Sequence, residues 1–486
     1  MWNIDLATFS YYISKNKLEL FSNHIFLKKS DLWLSYSSET SCYYYSGDSA
    51  EVAIIGLCVD SHGEYEREKI AEIIAKIDYS DIKSVYESCD RFAGKYCIFF
   101  GGKNGCYIWG DATGSVLINY YYDKSIIAVS NLEEIIGQQF ELKKSQKSDK
   151  IRLGSASSQP LPDDITMYEE IKILLPNHIL NIEKGTVRRI PFDINYIKRK
   201  DVDKICEATM RLTYKIIEEY KKYYELKCPI TSGYDSRTIA SFLVNVCDNL
   251  VLYTFKHKEF NDATSDIYIP KELCKALNRE YLIIPDLIAP KDMESYISKY
   301  AGKNYEKSVT NLAYTFINSF GRSAFVNGDI IDQVGKSLIG HDLPTFLATP
   351  YFFMCKLHNS YGGTKNVLKN YISKIKKNKE FKSVYDLFAI ENRCGRWASQ
   401  SDIVLCLSGI TSLNIFNCKE IISAWMRIPR GLRVKNILHM YYMRNNKPEL
   451  LEIPFNPGDW SNFLKKNRIL FYFATIAKHI LESKEK

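Results

Sequence analysis

Residues 231–237 read Thr-Ser-Gly-Tyr-Asp-Ser-Arg, between a short apolar run that ends at Ile230 and a helix-like pattern. Small residues turn the chain, and Ser236 sits where the helix begins. Backbone N–H groups at a helix start, aided by the Thr231, Ser232 and Ser236 hydroxyls, form an anion site. Asp235 would oppose a bare phosphate; it makes sense there if Mg²⁺ lies between carboxylate and phosphates. Arg237 works against the dipole of the helix it opens, a penalty that a bound polyphosphate would reverse. The same residues also fit a plain turn, with Asp235 as an N-cap and Ser236 as a turn residue.

A site of this kind needs a strand before it and a helix after it, at the carboxyl edge of a sheet. From about residue 200 the chain alternates in that way. A helix over 203–224 leads in, strands follow at 249–257, 279–285 and 323–328, and helical segments lie at 265–278 and 311–320. This texture predicts a parallel, doubly wound sheet, and after about 345 the chain reads as mostly helical. Residues 1–140 differ: short alternating runs such as "EVAIIGLCVDS" and "GKYCIFFGG" predict a sandwich of β-sheets, with a helix at 66–77. Polar residues 141–164 read as a linker or crossing segment, and 170–192 as a hairpin closing the first domain. Two domains are expected, 1–195 and 200–486, in keeping with a chain of 486 residues.

The "TSGYDSR" segment is similar to the Ser-Gly-Gly-x-Asp-Ser pyrophosphate loop of the ATP pyrophosphatase (PP-loop) superfamily, and looks most like its asparagine synthetase-related branch. Further segments resemble that family in the right order. "FVNGDIIDQVGKS" (325–337) places Gly328, Asp329 and Asp332 on the glycine, glutamate and aspartate of a Ser-Gly-Glu-Gly-Ser-Asp-Glu motif. Residues 252–284 resemble a segment that puts Thr254 and Phe255 near the adenine and Asp266 in a Ser-Asp pair. Asn278 stands there for a helix-ending glycine, and asparagine tolerates a left-handed cap. Residues 424–454 resemble a late segment in which Lys435 falls on a phosphate-binding lysine. "AIENRCGRW" (389–397) resembles a helix from which Glu391 or Arg393 would face the pocket. In the first domain, 90–122 and "ITMYEEIKILLPNHIL" are similar to class II glutaminase strands, with Asn177 for a glycine.

The resemblance implies a glutaminase-like sandwich followed by a synthetase domain. It implies an AMP-forming carbon–nitrogen ligase using ATP and Mg²⁺. A substrate carboxylate would attack ATP to give an acyl-adenylate, and an amine or ammonia would displace AMP. Thr231, Ser232, Gly233, Ser236 and Arg237 would grip the pyrophosphate, with Thr254, Phe255 and Gly328 also lining the ATP site. Asp235 and Asp332 would hold the metal. Lys435 would bind phosphate and then the oxyanion, and Asp329 would stand where the amine is assisted.

The departures shape the expectation further. Ser232 replaces the first loop glycine, and Asp329 a longer glutamate. Class II glutaminases use an N-terminal cysteine with its own amine as base, whereas this sequence begins Met1-Trp2. "GLCVDSHGEY" occupies the place of their Asn-Gly-Glu loop. The first domain is expected not to hydrolyse glutamine, which favours a specialised ligase of glycan or peptide chemistry over asparagine formation from free ammonia. A non-catalytic ATP-binding or scaffolding descendant is the reading from a different class.

Composition sets the remaining bounds. Hydrophobic residues at 46% and charged ones at 25% describe a globular chain. A formal charge of +8 and basic clusters at 373–382 and 465–468 read as solvated surface, not a nucleic-acid face. Thirteen scattered cysteines show no zinc or disulfide pattern. No signal-peptide pattern and no apolar run near the roughly 18 residues of a span occur, so a cytoplasmic setting without a membrane span is expected. Oligomeric state is not legible.

Overall fold

The computed structural model describes residues 2–124, 126–155, 160–192, 194–305, 307–457 and 467–484. Residues 156–159 of the expected linker, and Lys465 and Lys466 of the second basic cluster, lie outside the described residues.

Among the described residues the first half holds twelve strands, most of them rich in the aromatic and β-branched residues that favour strands. They are β1 (Tyr11–Ser14), β2 (Asn23–Leu27), β3 (Leu32–Tyr36), β4 (Cys42–Ser46), β5 (Ala50–Asp60) and β6 (Phe92–Gly102). β7 (Gly105–Gly110), β8 (Asn119–Asp123), β9 (Ile126–Ser130), β10 (Ile171–Ile173), β11 (His178–Asn181) and β12 (Thr186–Arg189) follow. They form two antiparallel six-stranded sheets, ordered β10-β8-β9-β1-β3-β2 and β12-β11-β7-β6-β5-β4. The long pair β5–β6 runs from Ala50 opposite Gly102 to Asp60 opposite Phe92. Ile13 and Leu34 of one sheet share a buried cluster with Ile55, Leu57 and Phe99 of the other. The opposite face of the second sheet, Val52, Ile54 and Phe100, lies under helices Arg67–Ala75 and Ile82–Ser88.

The second half holds a parallel sheet of β13 (Leu226–Pro229), β14 (Val251–Lys256), β15 (Tyr281–Pro285), β16 (Ala324–Val326) and β17 (Thr411–Leu413). Its order is β15-β14-β13-β16-β17, and every pairing is parallel. The chain steps outward from β13 to β15, then returns to build β16 and β17 on the other side. The carboxyl ends of β13 and β16 therefore flank the point where the strand order reverses, where open α/β sheets leave a crevice.

Two sequence expectations change, and a third gains a detail. The 141–164 stretch is not a bare linker, since Gln146–Leu153 is a helix whose Ser145 hydroxyl accepts from the Ser148 amide at 3.3 Å. Its polar surface hid it, because only Ser148 and Ile151 are buried. The 170–192 stretch is split: β11 and β12 form the hairpin, while β10 joins β8 in the other sheet. The late helical region also contains β17, three residues without an apolar alternation.

Apolar packing is continuous across the two halves: the cluster holding Ile55 and Phe99 also holds Cys228, Leu252 and Trp425. Polar ties cross as well. Lys95, 2% exposed, reaches Asp402 at 3.1 Å. Asn417 donates to the Gly94 carbonyl at 2.6 Å and to Asp111 at 2.9 Å. Trp2 stacks near Tyr296, with ring centroids 6.2 Å apart. All thirteen cysteines are free thiols, and among the described residues no helix is long and apolar enough to cross a membrane.

Candidate active site

β13 runs into a turn at Ile230, and helix Tyr234–Leu243 starts just after it, with Gly233 at the cap position. The turn is tied by hydroxyls. The Thr231 amide donates to Ser236 Oγ at 3.0 Å, the two hydroxyls lie 2.8 Å apart, and the Gly233 amide donates to Thr231 Oγ1 at 3.3 Å. Across the order reversal, β16 leads to Gly328 and Asp329, then to a wide π-helical turn over Ile331–Gly335 that carries Asp332.

These two edges enclose a cavity of about 200 Å³, lined among others by Thr231, Asp235, Ser236, Gly328, Asp329 and Asp332. Gly328 permits the approach: a Cβ there would stand 3.2 Å from Asp235 Cβ. Asp235 is not an N-cap. Its Oδ1 lies 2.7 Å from Nε2 of His439, a fully buried residue on helix Ile437–Asn446.

Three carboxylates line one cavity, and two of them are pushed up. Burial, then the Asp235 charge, pushes the Asp332 carboxyl up to about 7. Burial, then Asp402, raises Asp329 to about 6. Burial alone would raise Asp235 too, but the His439 hydrogen bond and charge, with Lys336, bring it below its ordinary value. Lys336 and Arg393 are the cations acting on Asp332, and Arg393 also acts on Asp329.

Not every expected residue reaches this cavity. Arg237 is fully buried and faces away: its guanidinium donates to the carbonyls of Ser232, Leu450, Ile453 and Pro454, and Phe455 covers it at 4.0 Å. Carbonyl oxygens, not phosphate, answer this cation at the helix start, and burial lowers it to about 10. Ser232 is buried, and both its amide and its hydroxyl donate to Asp266 Oδ1. Thr254 spends its hydroxyl on the Ile230 carbonyl, and Phe255 packs edge-on against Tyr253; neither lines the cavity. Lys435 is exposed and lies on a neighbouring cleft of about 600 Å³, shared with Tyr234, Lys336, His341, Asn456 and Arg468. Of the pair on the 389–398 helix, Arg393 acts on the aspartates, whereas Glu391 turns to Arg189 of the first half at 2.6 Å. Asn278 and Asn177 both take positive φ, 50° and 63°, as glycine substitutes must.

No protein-family model matches the sequence, and no curated protein matches it.

Two site residues escaped the sequence reading. Lys336 follows Asp332 by four positions, the spacing at which helical charges meet, and that signal was available. His439 lies 204 residues from Asp235 and has no local signature.

A divalent cation fits this donor set. The Asp235 charge raises the cost of charging Asp332 across one small cavity, and a cation between them removes that cost. Among the described residues no group of three or more His, Cys, Asp or Glu forms a metal cluster, so phosphate or water oxygens would complete the shell.

Proposed function

We propose that the chain is an ATP-dependent amide-bond-forming ligase resembling the asparagine synthetases. A substrate carboxylate attacks the ATP α-phosphate, pyrophosphate leaves, and an amine or ammonia takes the acyl group from AMP. The observation that carries this reading is the meeting of Asp235, Asp329 and Asp332 with the Thr231 and Ser236 hydroxyls, at the point where the parallel strand order reverses. The strand order also supports a doubly wound ATP pyrophosphatase fold for the second half, and the paired antiparallel sheets a glutaminase-like first half.

In this reading Ser236 and Thr231 receive the departing pyrophosphate at the helix start. Asp235 and Asp332 would hold Mg²⁺, which when bound neutralises phosphate charge. Lys336 and Lys435 line the adjoining cleft and supply fixed positive charge to phosphate oxygens. Asp329, with its carboxyl raised to about 6, takes a proton from the incoming amine closer to neutral pH than an ordinary aspartate. The first half serves as a packing partner through Lys95, Asp111 and Asn417. A cytoplasmic setting goes with ATP use and free thiols.

One observation favours a second reading, a non-catalytic ATP-binding descendant: the Ser232 amide and hydroxyl are already taken by Asp266. The deciding experiment is pyrophosphate release from ATP with a panel of carboxylates and amines. The ligase reading expects release with one pair, abolished in Asp235→Ala and Asp332→Ala. Release unaffected by either change overturns the site. ATP bound without release by any pair favours the second reading.

A further inference from the structure

A second cavity, of about 240 Å³, lies between the two halves and shares no lining residue with the candidate active site. Ile173, Leu175 and Val187 of the first half give it an apolar wall, and the rings of Tyr120 and Tyr371 stand beside them. It opens to solvent at Val187, 42% exposed, and at Asp164.

Two carboxylates and two cations stand on its lining. Lys374 bridges Asp163 at 2.9 Å and Asp164 at 3.1 Å. Arg189 is held between Glu380 at 2.5 Å and Glu391 at 2.6 Å. His178 adds no charge: burial, then Arg189, lowers it to about 3, and its Nδ1 donates to the Pro176 carbonyl. Glu380 and Glu391 are not on the lining, so the cavity's own charges offset one another.

Two buried oxygens are left over. Asp163 is 3% exposed, and its Oδ1 has no hydrogen-bond partner among the described residues, since Lys374 takes Oδ2. Burial, then Asp164, pushes this carboxyl up to about 6. The Tyr371 hydroxyl, on a residue 1% exposed, also lacks a hydrogen-bond partner, although Glu391 lies near enough to act on it. A native interior seldom leaves such atoms unpaired.

We infer that this cavity is a binding site for a small organic ammonium ion, whose head meets Asp163 Oδ1 and the Tyr371 oxygen while its body rests on the apolar wall. An ammonium offers three donors and no acceptor, which suits a surplus of acceptor oxygens. The tyrosine rings add attraction to a cation. An anion meets Asp163 and Asp164 head-on, and a neutral alcohol brings one donor for two oxygens. The inference stands apart from the ligase reading.

The test is calorimetric titration of the full chain with propylammonium chloride, against propanol and sodium propionate at matched ionic strength. Saturable binding of propylammonium alone is expected. Asp163→Asn weakens it by about tenfold. Tyr371→Phe removes the oxygen, keeps the ring, and weakens binding by about threefold. Absence of saturable binding, equal binding of propanol, or wild-type affinity in Tyr371→Phe overturns the site. If Asp163→Asn does not fold, Tyr371→Phe and the two control ligands decide.

Discussion

Ser232 donates twice to a single carboxylate oxygen of Asp266, from its hydroxyl at 2.7 Å and its amide at 2.8 Å. The hydroxyl also lies 3.1 Å from Asn456 Oδ1, and the Asn456 amide returns a bond to the Ser232 carbonyl. An internal carboxylate thus sits on the loop that was expected to receive an anion. Tyr234, stacked on Phe455 at 4.0 Å, fixes the same arrangement from the helix side.

Removing that carboxylate's charge therefore removes a repulsion that an incoming phosphate would meet. Asp266→Asn keeps an acceptor oxygen for Ser232 but no longer repels phosphate. Titration with pyrophosphate and Mg²⁺ is expected to show affinity raised by about fivefold, the worth of about 1 kcal/mol between nearby charges in a wet site. A weaker affinity in Asp266→Asn means the carboxylate shapes the loop for its ligand and does not compete with it.

Gly328 matters through distance. A methyl at this position stands 3.2 Å from Asp235 Cβ, so the helix start must retreat by a few tenths of an ångström. Gly328→Ala is expected to lower pyrophosphate release by about tenfold through misplacement of Asp235. Thermal stability should change little. Full activity in a folded Gly328→Ala protein removes the argument from close approach.

The strands and helices around the site were legible because their apolar periods are regular. Both turns were legible because small residues and carboxylates follow a strand. What the sequence hid were partners supplied from far away. Arg237 reads as a phosphate ligand until Leu450, Ile453 and Pro454 arrive with their carbonyls. His439 reads as one polar residue on an aromatic helix. Lys435 carries no spacing relation to Asp235 or Asp332, so nothing local shows that it opens onto the adjoining cleft. β17 escaped because Thr411–Leu413 is too short to show a period.

Beneath the cleft, Arg433 and Asp386 form a buried pair at 2.6 Å, with 0% and 1% of their side chains exposed. Arg433 also donates to the Ile428 and Val334 carbonyls, which ties the Lys435 turn to the segment bearing Asp332. Breaking one partner strands a buried charge, so Asp386→Ala should lose about 3 kcal/mol in urea denaturation. The double change Arg433→Met with Asp386→Leu should cost less than Asp386→Ala. If the double costs the sum of both single changes, the pair is not the source.

Lys356 gives the pH signature. Burial, then the charges of Arg393 and Lys478, pulls its ammonium down to about 7. An unfolded lysine titrates near about 10.4, so between these values the unfolded chain holds a proton that the folded chain lacks. Stability from this group must rise with pH through that window, and its cost is fully present below about 7. Lys356→Met is expected to melt higher than wild type at pH 6, with the gap closing toward pH 9. A gap constant across that range contradicts the assigned cause.

His439 is the most direct test of how Asp235 is held. Its Nε2 lies 2.7 Å from Asp235 Oδ1, and its Nδ1 has no partner among the described residues. A carboxylate oxygen can only accept, so Nε2 carries the proton and fixes the orientation of Asp235. Oδ2 is then left to whatever enters the cavity. A side chain that orients a metal-binding carboxylate is worth about 10- to 100-fold in metal affinity when removed. His439→Leu should raise the Mg²⁺ concentration needed for pyrophosphate release by that factor, and should flatten the thermal stabilisation that Mg²⁺ gives. His439→Gln keeps an N–H donor and should recover part of both. An unchanged Mg²⁺ requirement in a folded His439→Leu protein would leave the 2.7 Å contact as a packing detail, and Asp235 would need no help to face its ligand.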